Sequence, residues 1–193
     1  KFLWEFYSKG SEIVCSFGEP MDFIGNRLDH EGRSIDQHGK VINISDYFST
    51  KGEIKADIQR ESEYTKLLAA KVIERFKRDN VVLSSHMIAY LAFEIFRNYF
   101  PNIDVYGLLR MPLSDFYIPQ NYFIQKMEDF KTLLIQMESE GALRLSDIFE
   151  ESCDAILEDG LEKIGLYHSR TPLKMTSDNF LVSDDLELLY YYR

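Results

Sequence analysis

Beyond residue 59, apolar residues recur every three or four positions, a pattern typical of amphipathic helices. The first predicted helix runs to about Arg78. One face of this helix contains Thr65, Leu68, Ala69, Val72 and Phe76. A second helix begins at an N-cap, Ser84 or Ser85, and ends before Pro101. One of its stripes is Ile88, Leu91, Ala92, Ile95 and Tyr99, and the opposite one is His86, Tyr90, Phe93 and Arg97. Aromatic residues on both sides predict that other elements pack against this helix on two faces.

Shorter elements are predicted after Pro101. A short helix follows Asp104 and is broken by Pro112. A long helix that stops at Gly141 carries a stripe of Phe123, Met127, Phe130, Leu134 and Met137. Ser146 caps a further helix, whose inward residues are Phe149, Cys153, Ile156 and Ile164.

Near the C-terminus, the pattern predicts short strands around Leu173–Met175 and Phe180–Val182. A final helix starts at the acidic cap Ser183–Asp185. Helix, strand, helix and a two-stranded tail together resemble a winged-helix arrangement. The predicted fold class is therefore α+β and mostly helical, with a small winged-helix-like tail.

The first 58 residues have a different pattern. Helical spacing near Phe2 to Tyr7, a stop at Gly10 and alternation over Glu12–Phe17 predict one helix followed by one strand. Residues 24–58 are rich in Gly, Asp and Asn and predict a long loop with a short strand at Val41–Ile44. The chain thus divides into a helix–strand unit (1–23), a loop insertion (24–58) and a helical domain (59–193).

The composition of the chain argues against several classes of protein. The chain has 193 residues, of which 45% are apolar and 14% aromatic, and this excludes a disordered protein. A net charge of −10 argues against nucleic acid, and the densest basic stretch, Lys71–Arg78, is interrupted by Glu74. No apolar run reaches the roughly 18 residues of a membrane span. The first residue is Lys1 and the last follows an apolar stretch, so we expect a piece of a longer protein.

Histidine and serine residues are the first candidates for catalysis. His30 and His38 lie near Asp29 and Asp36 in the Gly-rich loop, where exposed histidines beside acids are common. His86 adjoins Ser84 and Ser85, but adjacent side chains on a helix point about 100° apart, so we expect a buried or capping histidine. A hydrolase that uses His86 remains an alternative. His168, in the polar segment before Pro172, is expected to be a turn residue.

Metal and redox chemistry have little support in the sequence. Cys15 and Cys153 lack a second Cys or His at ligand spacing, so reduced, partly buried thiols are expected. Asp22, Asp29 and Asp36 are evenly spaced but do not fit a calcium loop, which needs alternate carboxylates and a final Glu. A solvated loop is expected there, and neither a metal nor a cofactor is predicted.

Several segments, read in order, resemble the C-terminal half of membrane-associated glycerol-3-phosphate acyltransferases of the bacterial and mitochondrial type. Ile13–Met21 is similar to the strand and Gly-Glu-Pro ending of their catalytic domain. Tyr64–Phe76 followed by Val81–Ala89 resembles the helical pair just downstream. Leu189–Arg193 resembles a Tyr-Tyr-Arg-Asn segment without its Asn, and Asp29–Tyr47 resembles an insertion of some bacterial branches. The order and spacing cover most of the chain.

The resemblance implies transfer of a fatty acyl group from acyl-CoA or acyl-carrier protein to glycerol 3-phosphate, in phospholipid synthesis. A His-x4-Asp motif supplies the general base in that family, and basic residues hold the phosphate. His30 has five residues before Asp36, one too many, and His38 is followed by Asn43 at the position of the Asp. The catalytic motifs are therefore expected before Lys1, no catalytic, cofactor-binding or metal residue is assigned, and this piece is expected to be inactive alone.

The implied protein is a membrane-associated enzyme on the cytoplasmic side, and both substrates would contact the part that precedes this chain. The competing interpretation is an acidic, non-enzymatic interaction module. In that case the region Tyr122–Val182 forms a winged-helix-like domain that binds protein and not DNA.

Overall fold

The structure, a computed structural model, describes residues 13–193 and divides into two compact units. One unit is Cys15–Asn80, and the other contains residues 81–193. Helices dominate, and the strands form several small sheets, so the predicted mostly helical α+β class is confirmed. The division follows Asn80, so the helix that sequence analysis groups with the C-terminal domain lies in the first unit. Within residues 13–193, no helix combines the length and apolarity needed to cross a membrane.

Short antiparallel pairs form the first half of the unit 15–80. Strand β1 (Arg27–Leu28) pairs with β2 (Ser34–Ile35), and single bridges join Met21 to Arg27 and Ile35 to Val41. The predicted strand over Glu12–Phe17 is wrong for residues 13–17, which have no regular structure. Glu12 and the helix predicted near the N-terminus lie outside the described residues. The strand predicted at Val41–Ile44 is reduced to the single bridge at Val41.

The paired segments between Met21 and Val41 form a small antiparallel meander. Three Asp-x-x-Gly turns, seven residues apart, connect its arms. In each turn the glycine N–H donates to the backbone carbonyl of Asp22, Asp29 or Asp36, and the same aspartate's Oδ1 accepts the N–H two residues later. Gly25, Gly32 and Gly39 all have positive φ, as a type I turn with a following left-handed residue requires. The aspartate spacing therefore reflects turn formation.

Asp22 is the one buried member of the three aspartates, with 8% of its surface exposed. Burial raises its pKa, but hydrogen bonds from Asn26, Ser34 and Ile24 outweigh burial and hold the pKa below its ordinary value. The expectation of a solvated loop is therefore wrong at Asp22.

The rest of this unit is a short helix, a hairpin and a long helix. Helix α1 (Ser45–Phe48) precedes β3 (Ser49–Thr50), which pairs with β4 (Glu53–Ile54). Helix α2 (Ile58–Asp79) confirms the predicted helix, and the Asp57 carboxylate caps its N-terminus. None of the residues of α2 is buried.

The unit 81–193 is built around helix α3 (Ser84–Tyr99), which has ten buried residues. The other helices are α4 (Val105–Leu109), α5 (Gln120–Ser139), α6 (Cys153–Lys163) and α7 (Leu186–Tyr192), with 3-10 turns at Leu113–Asp115 and Asp147–Glu150. Helices α5, α6 and α7 all pack on α3, which confirms that it is covered on both faces. Tyr90 stacks on Phe130 of α5, and Phe93 contacts Tyr190 of α7.

Two small sheets complete this unit. Strand β5 (Val81–Val82) pairs in parallel with β7 (Arg144–Leu145). Strands β6 (Tyr117–Pro119), β8 (Lys174–Met175) and β9 (Phe180–Val182) form an antiparallel sheet in the order β6-β9-β8. The two predicted C-terminal strands are thus confirmed, with a third strand beside them.

The residues that cap two helices differ from the predicted N-cap residues. Leu83, not Ser84 or Ser85, is the N-cap of α3, and its N–H donates to His86 Nδ1. Ser146 precedes only a 3-10 turn and makes no cap hydrogen bond, whereas the Ser152 hydroxyl caps α6.

Candidate functional site

The loop histidines are not paired with the neighbouring carboxylates. His30 is exposed, and the carboxylate of Asp29 accepts from Glu31 and Arg33 instead. His38 is exposed, and its ring contacts the side-chain amide of Gln37. Since the nearby acids serve their own turns, the loop gives neither histidine the oriented acid partner that a general base needs.

His86 and Ser84 also lack the geometry of a nucleophile and its base. The His86 ring accepts the Leu83 N–H over 3.3 Å, and burial lowers the pKa of this histidine. The Ser84 hydroxyl, 1% exposed, donates to Asp159 of α6. Asp159 also lies 2.8 Å from Lys163 Nζ. These contacts support the capping interpretation of His86, and they tie the start of α3 to α6.

The remaining sequence candidates are separate from one another. Cys15 is exposed, contrary to expectation, while Cys153 is buried and burial raises the pKa of its thiol. The His168 ring meets Tyr192 edge-on, with 5.9 Å between centroids. Across residues 13–193, no three His, Cys, Asp or Glu side chains are grouped closely enough to hold a metal ion.

The last residues of the chain pack against helix α3 in the C-terminal unit. Arg193 Nη1 donates to Glu94 Oε1 over 3.1 Å, and the two residues are 99 positions apart. The Arg193 guanidinium also lies 4.3 Å from the ring centroid of Tyr190 and 5.0 Å from that of Phe93. The Tyr-Tyr-Arg segment and the helix that follows Val81 therefore form one packed structure.

A cavity of about 540 Å³ lies within the unit 15–80. Its basic lining comes from two elements: Arg27 stands on β1, and Lys71, Arg75 and Arg78 stand on α2. Sequence reasoning missed this group because Arg27 is far from α2 along the chain. The spacing of Lys71, Arg75 and Arg78 at i, i+4 and i+7, which places them on one helix face, was the available signal.

Comparison with known proteins identifies no relative of this chain. No protein family, curated protein or solved structure matches this chain. Its function is therefore inferred from its own residues and their arrangement.

Proposed function

We propose that this chain is the C-terminal region of a glycerol-3-phosphate acyltransferase and serves as a non-catalytic support for the catalytic domain. The observation that carries the proposal is the bare apolar surface of the unit 15–80. Among its described residues, Ile24 alone is a buried hydrophobic residue, whereas Phe17 is 87% exposed and Phe76 is 73% exposed. A domain of this size normally buries a core of its own, so this unit needs a further protein surface to cover it.

The packing of α3 against α7 is compatible with the proposal. The Tyr-Tyr-Arg segment contacts α3 through Arg193 and Glu94, and α3 begins within the resembling segment Val81–Ala89, although Glu94 itself lies beyond that segment. The Gly-Glu-Pro segment Gly18–Pro20 belongs to the other unit, and residues 13–17 before it have no regular structure, so this segment does not add support.

In this proposal the reaction occurs in the part of the protein that precedes Lys1. A histidine there removes the proton from the 1-hydroxyl of glycerol 3-phosphate, and the oxygen attacks the thioester of acyl-CoA or acyl-carrier protein. The acidic C-terminal unit supplies rigidity. We place the enzyme on the cytoplasmic face of a membrane as a peripheral or membrane-associated protein.

The test is an acyl-transfer assay of the complete protein in which this chain occurs. We expect release of CoA thiol from a long-chain acyl-CoA that depends on glycerol 3-phosphate, and no release by the 193-residue chain alone. Phe93→Ala in the complete protein removes a fully buried ring between α3 and α7, so it should lower both activity and the unfolding temperature. A complete, folded protein without this transfer, or robust transfer by the chain alone, overturns the proposal.

The order of elements after Ser84 favours a second candidate, a winged-helix-like interaction module. Helix α3, strand β6, helices α5 and α6 and the hairpin β8–β9 occur in this order, with α4 and β7 inserted between them, and β9 lies between β6 and β8. The order is similar to that of a winged helix and extends the predicted module Tyr122–Val182 toward the N-terminus. Its third helix, α6, carries Asp154, Glu158, Asp159 and Glu162. Such a helix repels phosphate backbones, so the partner of the module would be a protein.

The two candidates differ in what α6 does. Charge reversal at Glu158, which is exposed, should leave acyl transfer unchanged if the unit only supports an enzyme. Loss of binding to a protein partner on the same substitution, in a complete protein without acyl transfer, would favour the interaction module.

A further inference from the structure

The cavity in the unit 15–80 concentrates positive charge in an otherwise acidic chain. Arg27, Lys71, Arg75 and Arg78 line it, and the carboxylates that line it are Asp36 and Glu74. The chain as a whole has 22 basic and 32 acidic side chains, so four cations around one cavity reverse the local balance. Positive clusters in concave surfaces raise the local concentration of anions.

The hydrogen bonds of these cations leave donors available. Lys71 Nζ donates to the Gly25 carbonyl over 3.0 Å, and an ammonium group has two further donors. Arg75 Nη2 donates to Glu19 over 2.9 Å, but Arg75 Nη1 is buried and has no acceptor among the described residues. A buried donor without a partner is unusual in folded proteins, and a bound ion or water is one explanation for it.

Four carboxylates, Asp36, Glu74, Glu19 and Asp79, line or pair with the four cations, so the excess of positive charge is confined to the cavity wall itself, where two carboxylates accompany four cations. Glu19 accepts from Arg75 and lies 3.7 Å from Arg27 Nε, and it is not itself part of the lining. Arg78 Nε lies 3.5 Å from Asp79, and Asp36 Oδ1 is occupied by the N–H groups of its own turn. The pair of Arg27 and Glu19 is exposed and therefore weak, whereas the side chains of Arg75 and Asp79 are only 20% and 11% exposed.

We propose that this cavity is a binding site for a phosphate group carried as a monoester. Phosphate offers three oxygens and nearly two negative charges, which match a ring of arginine and lysine better than one carboxylate does. A volume of about 540 Å³ is that of a small-ligand site. The inference goes beyond the acyltransferase proposal and does not depend on it, because the site lies wholly within the unit 15–80.

Both a soluble phosphate ester and a lipid headgroup present this chemistry, and two probes distinguish them. Inorganic phosphate is titrated into the full chain by calorimetry, and sedimentation is measured with phosphatidate vesicles and with phosphatidylcholine vesicles. Saturable binding of inorganic phosphate without vesicle binding supports a soluble ester. Sedimentation with phosphatidate vesicles alone, reversed by inorganic phosphate, supports a lipid headgroup. Failure of both probes overturns the site.

Matched variants locate the site. Lys71→Gln and Arg27→Gln should each weaken binding by about fivefold, since each removes one cation from the lining. Lys66→Gln makes the same charge change on helix α2, outside the cavity, and should leave the affinity unchanged. Equal weakening by Lys66→Gln and Lys71→Gln would show that overall charge alone attracts the anion, and would overturn the proposal. Circular dichroism of each variant confirms that the chain is folded.

Discussion

Arg193 and Glu94 join the last residue of the chain to the middle of α3 through a hydrogen bond of 3.1 Å between Nη1 and Oε1. The side chains are largely shielded, with 25% and 17% of their surfaces exposed. The same guanidinium lies over the Tyr190 ring. A charged pair that is partly desolvated and stacked on an aromatic ring contributes more than an exposed pair does.

Arg193→Ala should therefore lower the free energy of unfolding by about 1–2 kcal/mol. Arg193→Lys keeps the charge but loses the planar stack, so an intermediate loss is expected. The measurement is the urea midpoint followed by circular dichroism. Lys66→Ala serves as a control because Lys66 is 68% exposed and forms an ion pair with Glu63 at the surface. Equal losses for Arg193→Ala and Lys66→Ala would contradict the assigned role.

Gly160 lies where α6 packs closely against α3. A Cβ at this position would lie 2.8 Å from Ile88 Cδ1 and 3.1 Å from the Ser84 carbonyl oxygen. Gly160→Ala should destabilise the protein by about 1–3 kcal/mol because it overpacks this contact. At an exposed helical glycine, the same substitution would instead stabilise the protein, because alanine favours the helix by about 1 kcal/mol over glycine. Glu158→Ala, at an exposed position of α6, is the control, and thermal unfolding is the measurement.

His86 should make stability dependent on pH. Burial lowers its pKa in the folded state, so the unfolded chain binds the proton more readily. Its full contribution is present above the unfolded value of about 6.5 and falls as the pH drops from there toward the lower folded pKa. In His86→Gln, the amide oxygen still accepts the Leu83 N–H, and this part of the pH dependence should vanish. Identical pH profiles for the two proteins, from urea unfolding at pH 5 to 8, would contradict the buried, neutral histidine.

Gly25 and Gly32 occupy equivalent turn positions but have different surroundings. Both have positive φ, so alanine at either position should cost about 1 kcal/mol in backbone strain. A Cβ at Gly25 would also lie 2.5 Å from Lys71 Cδ, whereas nothing lies within 4 Å at Gly32. Gly25→Ala should therefore be the more destabilising and should also displace Lys71 from the cavity. Thermal unfolding and phosphate titration measure the two effects, and equal results for both variants would be inconsistent with this packing.

The sequence predicted the helices well because their apolar positions are periodic. The stripe around Phe123 corresponds to the buried face of α5, whereas in the stripe of His86, Tyr90, Phe93 and Arg97 on α3 only Phe93 is buried. The N-cap residues were less predictable because several polar residues near the start of a helix can each serve as its cap, as with Ser146 and Ser152 before α6. Two adjacent serines likewise concealed that Leu83 is the cap of α3.

The meander was missed although its turn chemistry is visible in the sequence. Asp at the first turn position and Gly at the fourth are standard signals, but each flanking strand is only two residues long, too short for alternation to be detected. The candidate site required a further step. Arg27 and Lys71 are brought together by tertiary structure, so a scan for local charge found only the part on α2.

The regular spacing of the Asp-x-x-Gly turns has a consequence for changes in chain length. Each turn with its flanking residues occupies seven positions and satisfies its own hydrogen bonds locally. Insertion of one further seven-residue copy would add one antiparallel arm and reverse the direction in which the chain leaves the meander, whereas two copies would restore that direction. An insertion of one residue would instead invert the faces of everything that follows within the ribbon. This segment is therefore suited to grow or shrink in pairs of repeats, a form of variation that a packed helix such as α3 does not tolerate.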